Sequence, residues 1–199
     1  MMPAIIAKKI GMTQVFEEGR QVPVTLVQVL PNIIVAKTNN KVVIGAQVSK
    51  RFVKPIEGML KKAGISEKLN KFKQFVWDGD APEVGKPVGL AAFTPGITVQ
   101  VTARGKGKGF AGTVKRHSFS RGPETHGSNN VRQPGSIGAQ QPQRVVKGRK
   151  MGGHMGMRTV TVKNLKIVDV DTNQNIIAVS GSIPGANRST LFLQTQTNS

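Results

Sequence analysis

The chain alternates apolar and polar residues over short stretches, and the period is mostly two. In "GITVQVTA" (Gly96–Ala103) the alternation is strict. Ile97, Val99, Val101 and Ala103 point one way and Thr98, Gln100 and Thr102 the other, the pattern of a half-buried strand. "PVTLVQV" (Pro23–Val29), "NIIVAK" (Asn32–Lys37) and "KVVIGAQV" (Lys41–Val48) are rich in β-branched residues and separated by Asn, Pro and Gly, which predicts three further strands. "TVTVKNLKIVDV" (Thr159–Val170) starts with period two at Val160 and Val162 and resumes at Leu165 and Ile167. That offset of three predicts a β-bulge. "NIIAVSG" (Asn175–Gly181) and "TLFLQT" (Thr190–Thr195) complete the set. One helix is predicted at Ile56–Ala63, where Ile56, Met59, Leu60 and Ala63 share a face and Gly64 can take the position after the cap.

Short, evenly punctuated strands predict a mostly β protein: a small closed β-barrel carrying a short helical insertion and a long basic extended loop. The loop is the stretch that breaks the pattern. Residues 1–100 are expected to supply the first part of the barrel domain, 101–158 a glycine-rich extension, and 159–199 the strands that complete the barrel. A structureless excursion of this length within a compact fold signals either disorder or function.

Charge changes that picture. The 199 residues hold 29 Lys and Arg against 10 Asp and Glu, a formal +19. Residues 101–160 alone contain twelve of those bases, a single acid (Glu124) and 12 of the 23 glycines. A cationic, flexible segment with little to bury favours a polyphosphate partner, because each neutralised phosphate releases condensed counterion. Membrane is not expected as a partner: there is neither an 18-residue apolar run nor a long basic amphipathic helix. The absence of cysteine excludes disulfides, zinc knuckles, thiolate catalysis and iron–sulfur ligation. "MMPAIIAKKIGMTQVF" has neither the apolar core of a secretory signal nor the Ser/Arg-rich helix of a transit peptide, which predicts a cytoplasmic protein.

Within the segment, "GKGKGFAGTVKR" (Gly105–Arg116) contains G-x-G-x-x-G at Gly107–Gly112. The context of a dinucleotide fingerprint is missing: no helical period follows, and no acid lies about 20 residues on. The G-K-[ST] ending of a Walker A loop is absent too. What remains is backbone able to approach phosphates closely, with Lys106, Lys108, Lys115 and Arg116 as charge. The alternative is a basic loop that is merely solvated. His117, His126 and His154 lack the carboxylate or thiolate company of a metal site, so stacking on a base or bonding to a phosphate or 2′-OH is their better reading, beside simple solvation. The low aromatic content, 5% with no Tyr, argues against a single-strand binder of the stacking type. Recognition of folded RNA by shape and backbone, with the segment ordering on its partner, fits better. Two competing readings are a nucleic-acid-acting enzyme using the histidines and lysines, and a generic nucleic-acid chaperone.

Several stretches carry a resemblance to a known family. "AKKIGMTQVF", "GKGFAGTVKRHSFSRGPETHGS", "RQPGSIG", "VVKGRKMGGHMG" and "VSGSIPGANRSTLFL", in that order along nearly the whole chain, resemble the universal large-subunit ribosomal protein L-three family in its bacterial form. The resemblance implies a six-stranded barrel similar to domain two of translation elongation factors. It also implies a loop threading into large-subunit (23S-type) rRNA toward the peptidyl transferase centre, and an early, non-enzymatic role in subunit assembly. Carried onto this sequence, it implies RNA contacts from Lys106, Lys108, Lys115, Arg116, His117, His126, Arg132, Gln133, Arg144, Lys147, Arg149, Lys150, His154 and Arg158, with Gln133 to Gln141 reaching deepest. Some bacterial relatives carry an N5-methylated glutamine just after G-S-I-G. The matching position is Gln141, or Gln140, since the tract Ala139–Arg144 is one residue shorter than in some relatives. The sequence departs from relatives at Val131-Arg132, where His-Arg is common, and at Arg149, a fork-shaped donor in place of a lysine. No cofactor is implied, and structural Mg²⁺ only by way of rRNA. Implied partners are large-subunit rRNA, the neighbouring proteins L-fourteen and L-nineteen, and a glutamine methyltransferase.

Overall fold

The computed structural model describes residues 3–17, 19–47, 53–77 and 82–196. The chain divides into two compact units, residues 1–105 with 159–199, and residues 106–158. The first is mostly β. Six of its strands are β1 (Ala4–Glu17), β2 (Arg20–Val29), β7 (Thr98–Arg104), β10 (Thr159–Asp171), β11 (Ile176–Ser180) and β12 (Thr190–Thr195). They pair in the order β1-β12-β7-β10-β11-β2, and β2 pairs back onto β1, so this sheet closes on itself and keeps no free edge.

A second sheet lies in the same unit, which the sequence pattern does not separate from the first. It is built from β3 (Asn32–Thr38), β4 (Lys41–Ala46), β5 (Lys71–Val76) and β6 (Pro87–Val88) in the order β5-β4-β3-β6. Residues 1–100 therefore supply two sheets, not one. The end of the expected strand Lys41–Val48, Val48 itself, lies outside the described residues. Helix α1 (Lys54–Lys62) starts two residues earlier than the apolar spacing predicts, with Pro55 in its first turn, where a missing N–H costs nothing. It ends at Ala63, with Gly64 left-handed at φ +69°. Leu60 is buried, but Met59 is 42% exposed and is not part of the packed face.

Three apolar clusters explain the layering. Inside the closed sheet pack Ile5, Ala7, Val27, Val99, Val101, Ala103, Ile167, Ile177, Val179, Leu191 and Leu193, all buried. Ala4 and Ile6, on the opposite face of β1, pack with Ile34, Val42, Ile44, Ala46, Phe75 and Trp77 of the second sheet and its end, and with Phe192. The far face of that sheet, Ile33 and Val35, meets Leu60, Ile65 and Leu69. Each fully buried aliphatic side chain contributes roughly 1.5–3 kcal/mol. β1 thus buries both faces, which is why "AIIA" shows no alternation. The bulge in β10 falls between Val162 and Leu165, where the register shifts against β7. Asn164 takes a left-handed φ of 59° there, and its N–H donates to the side chain of Gln196. Val160, expected to face inward, is 43% exposed.

Two polar side chains fix β1. Its pairing with β2 starts at Ala7↔Val29. One residue earlier, the buried Asn32 takes over as partner: its Oδ1 accepts the Ile6 N–H at 2.9 Å, and its Nδ2 donates to the Ile6 carbonyl at 3.1 Å. The side-chain amide thereby continues the ladder beyond Ala7, beside a longer bond of 3.4 Å from the Leu30 N–H to the Ile6 carbonyl. Lys9, only 7% exposed, donates from Nζ to the carbonyls of Ile183 at 2.9 Å and Gly185 at 3.3 Å. Backbone bonds of Lys9 with Ser189 and Arg188 close the same clamp. The stretches "AKKIGMTQVF" and "SIPGANRSTLFL", far apart in sequence, meet at this lysine. Replacing Asn32 by Ala leaves both polar groups of Ile6 without that partner. Urea unfolding of the variant is expected to show a loss of about 2–4 kcal/mol; a loss below about 0.5 kcal/mol, the usual surface-substitution range, would contradict the assignment.

Candidate nucleic-acid interface

Residues 106–158 form the second unit, and its regular secondary structure lies near its two ends. β8 (Phe110–Ala111) and β9 (Gly153–His154) pair antiparallel, with Phe110 opposite His154 and Ala111 opposite Gly153. The ribbon continues through Lys108 N–H to the Met155 carbonyl and Met155 N–H to the Gly109 carbonyl, both at 2.9 Å. A one-turn helix, α2 (Thr113–His117), follows β8. Five residues are too few to display a helical period, so no local pattern announces this helix.

α2 is tied back to the returning chain by two of the residues expected to touch RNA. Arg116 donates from Nη1 to the Met151 carbonyl at 2.7 Å, and Nε2 of His117 lies 2.9 Å from the same oxygen. A carbonyl can only accept, so Nε2 carries the hydrogen. Both side chains are half-buried. They are therefore framework as well as candidate contacts, a role no local sequence signal announces because their partner is a backbone oxygen more than thirty positions away.

The adjacent glycines of "MGGHMG", Gly152 and Gly153, have distinct reasons to lack a side chain. A Cβ on Gly152 would lie 3.3 Å from the Phe110 ring, and one on Gly153 would lie 2.8 Å from the guanidinium of Arg116. With these positions bare, Phe110 and Arg116 approach the returning strand without having to shift.

Beyond the ribbon the chain has little to bury. Every residue from Arg132 to Lys150 is exposed. This tract carries Arg132, Gln133, Arg144, Lys147, Arg149 and Lys150, together with Gln140 and Gln141. It is held by local bonds only: Ser136 Oγ to the Gly138 carbonyl, Arg149 Nε to the Ile137 carbonyl at 2.7 Å, and short backbone turns. Lys106, Lys108, Lys115, His126, His154 and Arg158 are exposed as well. Glu124, the sole acid in the segment, is engaged by Arg121. The remaining cations of the unit thus have no carboxylate of their own to neutralise them.

Two clefts open on this unit. One of about 290 Å³ is lined by Arg116, His117, His154, Met155, Gly156 and Arg158. The other, about 510 Å³, is lined by Ser120, Arg121, Gly122, Asn130, Gln133, Pro134 and Gly135. Both have cationic or amide walls suited to phosphate and ribose oxygens. Among the described residues no group of three or more His, Asp or Glu is placed to hold a metal ion, and no helix is long and apolar enough to cross a membrane.

The family described as ribosomal protein L3 matches residues 34–184. The chain is 40% identical over 205 residues to large ribosomal subunit protein uL3 of Bacillus cytotoxicus, covering 98% of this chain and 97% of that protein. It is 40% identical over 203 residues to the uL3 of Carboxydothermus hydrogenoformans, and 42% identical over 205 residues to that of Bacillus mycoides, with the same coverage. The match spans the closed sheet, the second sheet and the basic extension alike, and on that ground the chain belongs to the ribosomal protein L3 family.

Proposed function

We propose that this protein is a structural constituent of the large ribosomal subunit, resident in the ribosome of the cytoplasm, and that it binds large-subunit rRNA directly. Its role is to shape RNA, not to catalyse. The observation that carries the reading is the run Arg132–Lys150, exposed at every position and rich in cations with no acid to pair them. In isolation such a segment is poorly stabilised, since ordering each backbone residue costs about 1–2 kcal/mol and it buries almost nothing in return. Packed into RNA, it would exchange solvent for phosphates and ribose hydroxyls on all sides. The family's other attributes follow as parts of this proposal. The closed six-stranded sheet acts as a barrel of the elongation-factor domain-two kind that anchors the protein. The extension reaches toward the peptidyl transferase centre with Gln133 to Gln141 foremost. Binding occurs early in assembly, beside L-fourteen and L-nineteen.

The extension test uses a chain in which Gly105–Met157 is replaced by a short Gly/Ser linker. This variant is expected to keep a cooperative unfolding transition and to lose rRNA binding. The intact protein should bind with steep salt dependence, its affinity falling by about 10³-fold or more between 50 and 200 mM salt if at least six phosphates are neutralised. Normal incorporation of the truncated chain into large subunits would overturn the proposal. For the modification, Gln141 and Gln140 are both exposed, so either is open to a methyltransferase. Peptide mass spectrometry of the protein isolated from ribosomes should find one added methyl group within Ala139–Arg144, with fragmentation assigning it to Gln141. An unmodified peptide at full occupancy would contradict this.

A further inference from the structure

Phe110 is the most exposed large apolar side chain among the described residues, at 81%, although it sits on one of the best-ordered hydrogen-bonded parts of the basic unit. A ring whose backbone is held in a strand pair while its side chain is left in water needs an occupant for its open face. Residues directly opposite in an antiparallel pair project to the same side, so Phe110 and His154 stand side by side on one face of the ribbon. Gly152, two positions before His154, lies under the Phe110 ring, where any larger residue would crowd it. His154 also borders the cleft that Arg116, His117 and Arg158 line. Two planar π-systems are thus placed next to a cationic wall. The surrounding segment, with twelve bases and one acid, repels a cationic partner and favours an anionic one.

We infer that Phe110 and His154 form a stacking platform for an unpaired RNA base whose own phosphate sits in the Arg116/Arg158 cleft. The inference rests on the RNA-binding reading above and adds to it a site of defined chemistry, one splayed-out nucleotide, in a protein whose overall scarcity of aromatics argues against stacking. Aromatic stacking tolerates any base, because every base has a π-face, whereas the cleft reads only the backbone. The other surfaces of the molecule are less informative. The apolar cleft lined by Leu30, Pro31, Val88 and Leu90 has nothing to indicate an occupant.

The test compares two probes on the full chain: a twelve-residue oligoadenylate and an abasic ribose–phosphate strand of equal length. The intact protein should bind the oligoadenylate roughly tenfold more tightly, the scale of one stacked base. Phe110→Leu, which keeps an apolar side chain but removes the π-face, should abolish that preference and leave abasic binding unchanged. Phe110→Trp should restore it. Arg158→Gln should weaken both probes by the same factor. Equal affinity of the intact protein for both probes would overturn the platform while leaving backbone binding intact, and so would an unaltered preference in Phe110→Leu. Equal binding of both probes by Arg158→Gln and the intact chain would remove the cleft from the site. Failure of either probe to bind at all would overturn both this inference and the RNA-binding reading beneath it.

Discussion

Arg104 and Thr159 are direct neighbours across the β7–β10 ladder, so the excursion between them leaves and re-enters the closed sheet at one point. That pairing is the constraint on which the basic unit depends. Once the ends of a loop are pinned, extra length costs little: doubling it adds only about 0.6 kcal/mol of closure entropy. A long, core-less segment can therefore be carried by a stable β domain at small further expense. Of the two strands that pin it, β7 is the securely packed one. Val99, Val101 and Ala103 of β7 lie inside the closed sheet, and β7 is paired on both sides, by β10 and β12.

Regular secondary structure thins out with distance from that anchor along the excursion. The β8–β9 ribbon and the bonds from Arg116 and His117 to Met151 knit together the outgoing and returning chains. Farther on, the chain keeps only turns and isolated bonds. This gradient separates two physical tasks. A hydrogen-bonded root presents Phe110, His154 and the Arg116/Arg158 cleft, whereas the tract Arg132–Lys150 offers charge that is exposed at every position. On the proposed reading, rigid and compliant recognition of RNA are thereby combined in one unit.

The sequence disclosed the parts in which one face is buried and the other is not. β7 was legible for that reason, as was the bulge at Val162/Leu165, which breaks an otherwise regular alternation. β1 was hidden because Ala4–Ala7 packs on both faces and because Lys9 looks like a surface charge although it is buried against carbonyls. β5, "KFKQFV", was hidden because two lysines interrupt its apolar positions. The second sheet was not separable from the first, since strand pairing is long-range information that local period does not carry. In the basic unit, charge identified the cations but not their division of labour: Arg116 and His117 brace the backbone as well as facing a cleft. Phe110 was obscured by averaging, because a low aromatic fraction says nothing about where a single ring is placed.

The central claim is that the extension Ser120–Lys150 obtains its order from RNA while the closed sheet is ordered without it. Amide hydrogen exchange on the full chain, alone and bound to large-subunit rRNA, tests this most directly. The account predicts near-unprotected exchange across Ser120–Lys150 in the free protein and strong protection on binding, with β7 and β10 protected in both states. Rapid exchange of Ser120–Lys150 in the demonstrably bound protein, or equal protection before and after binding, would contradict it.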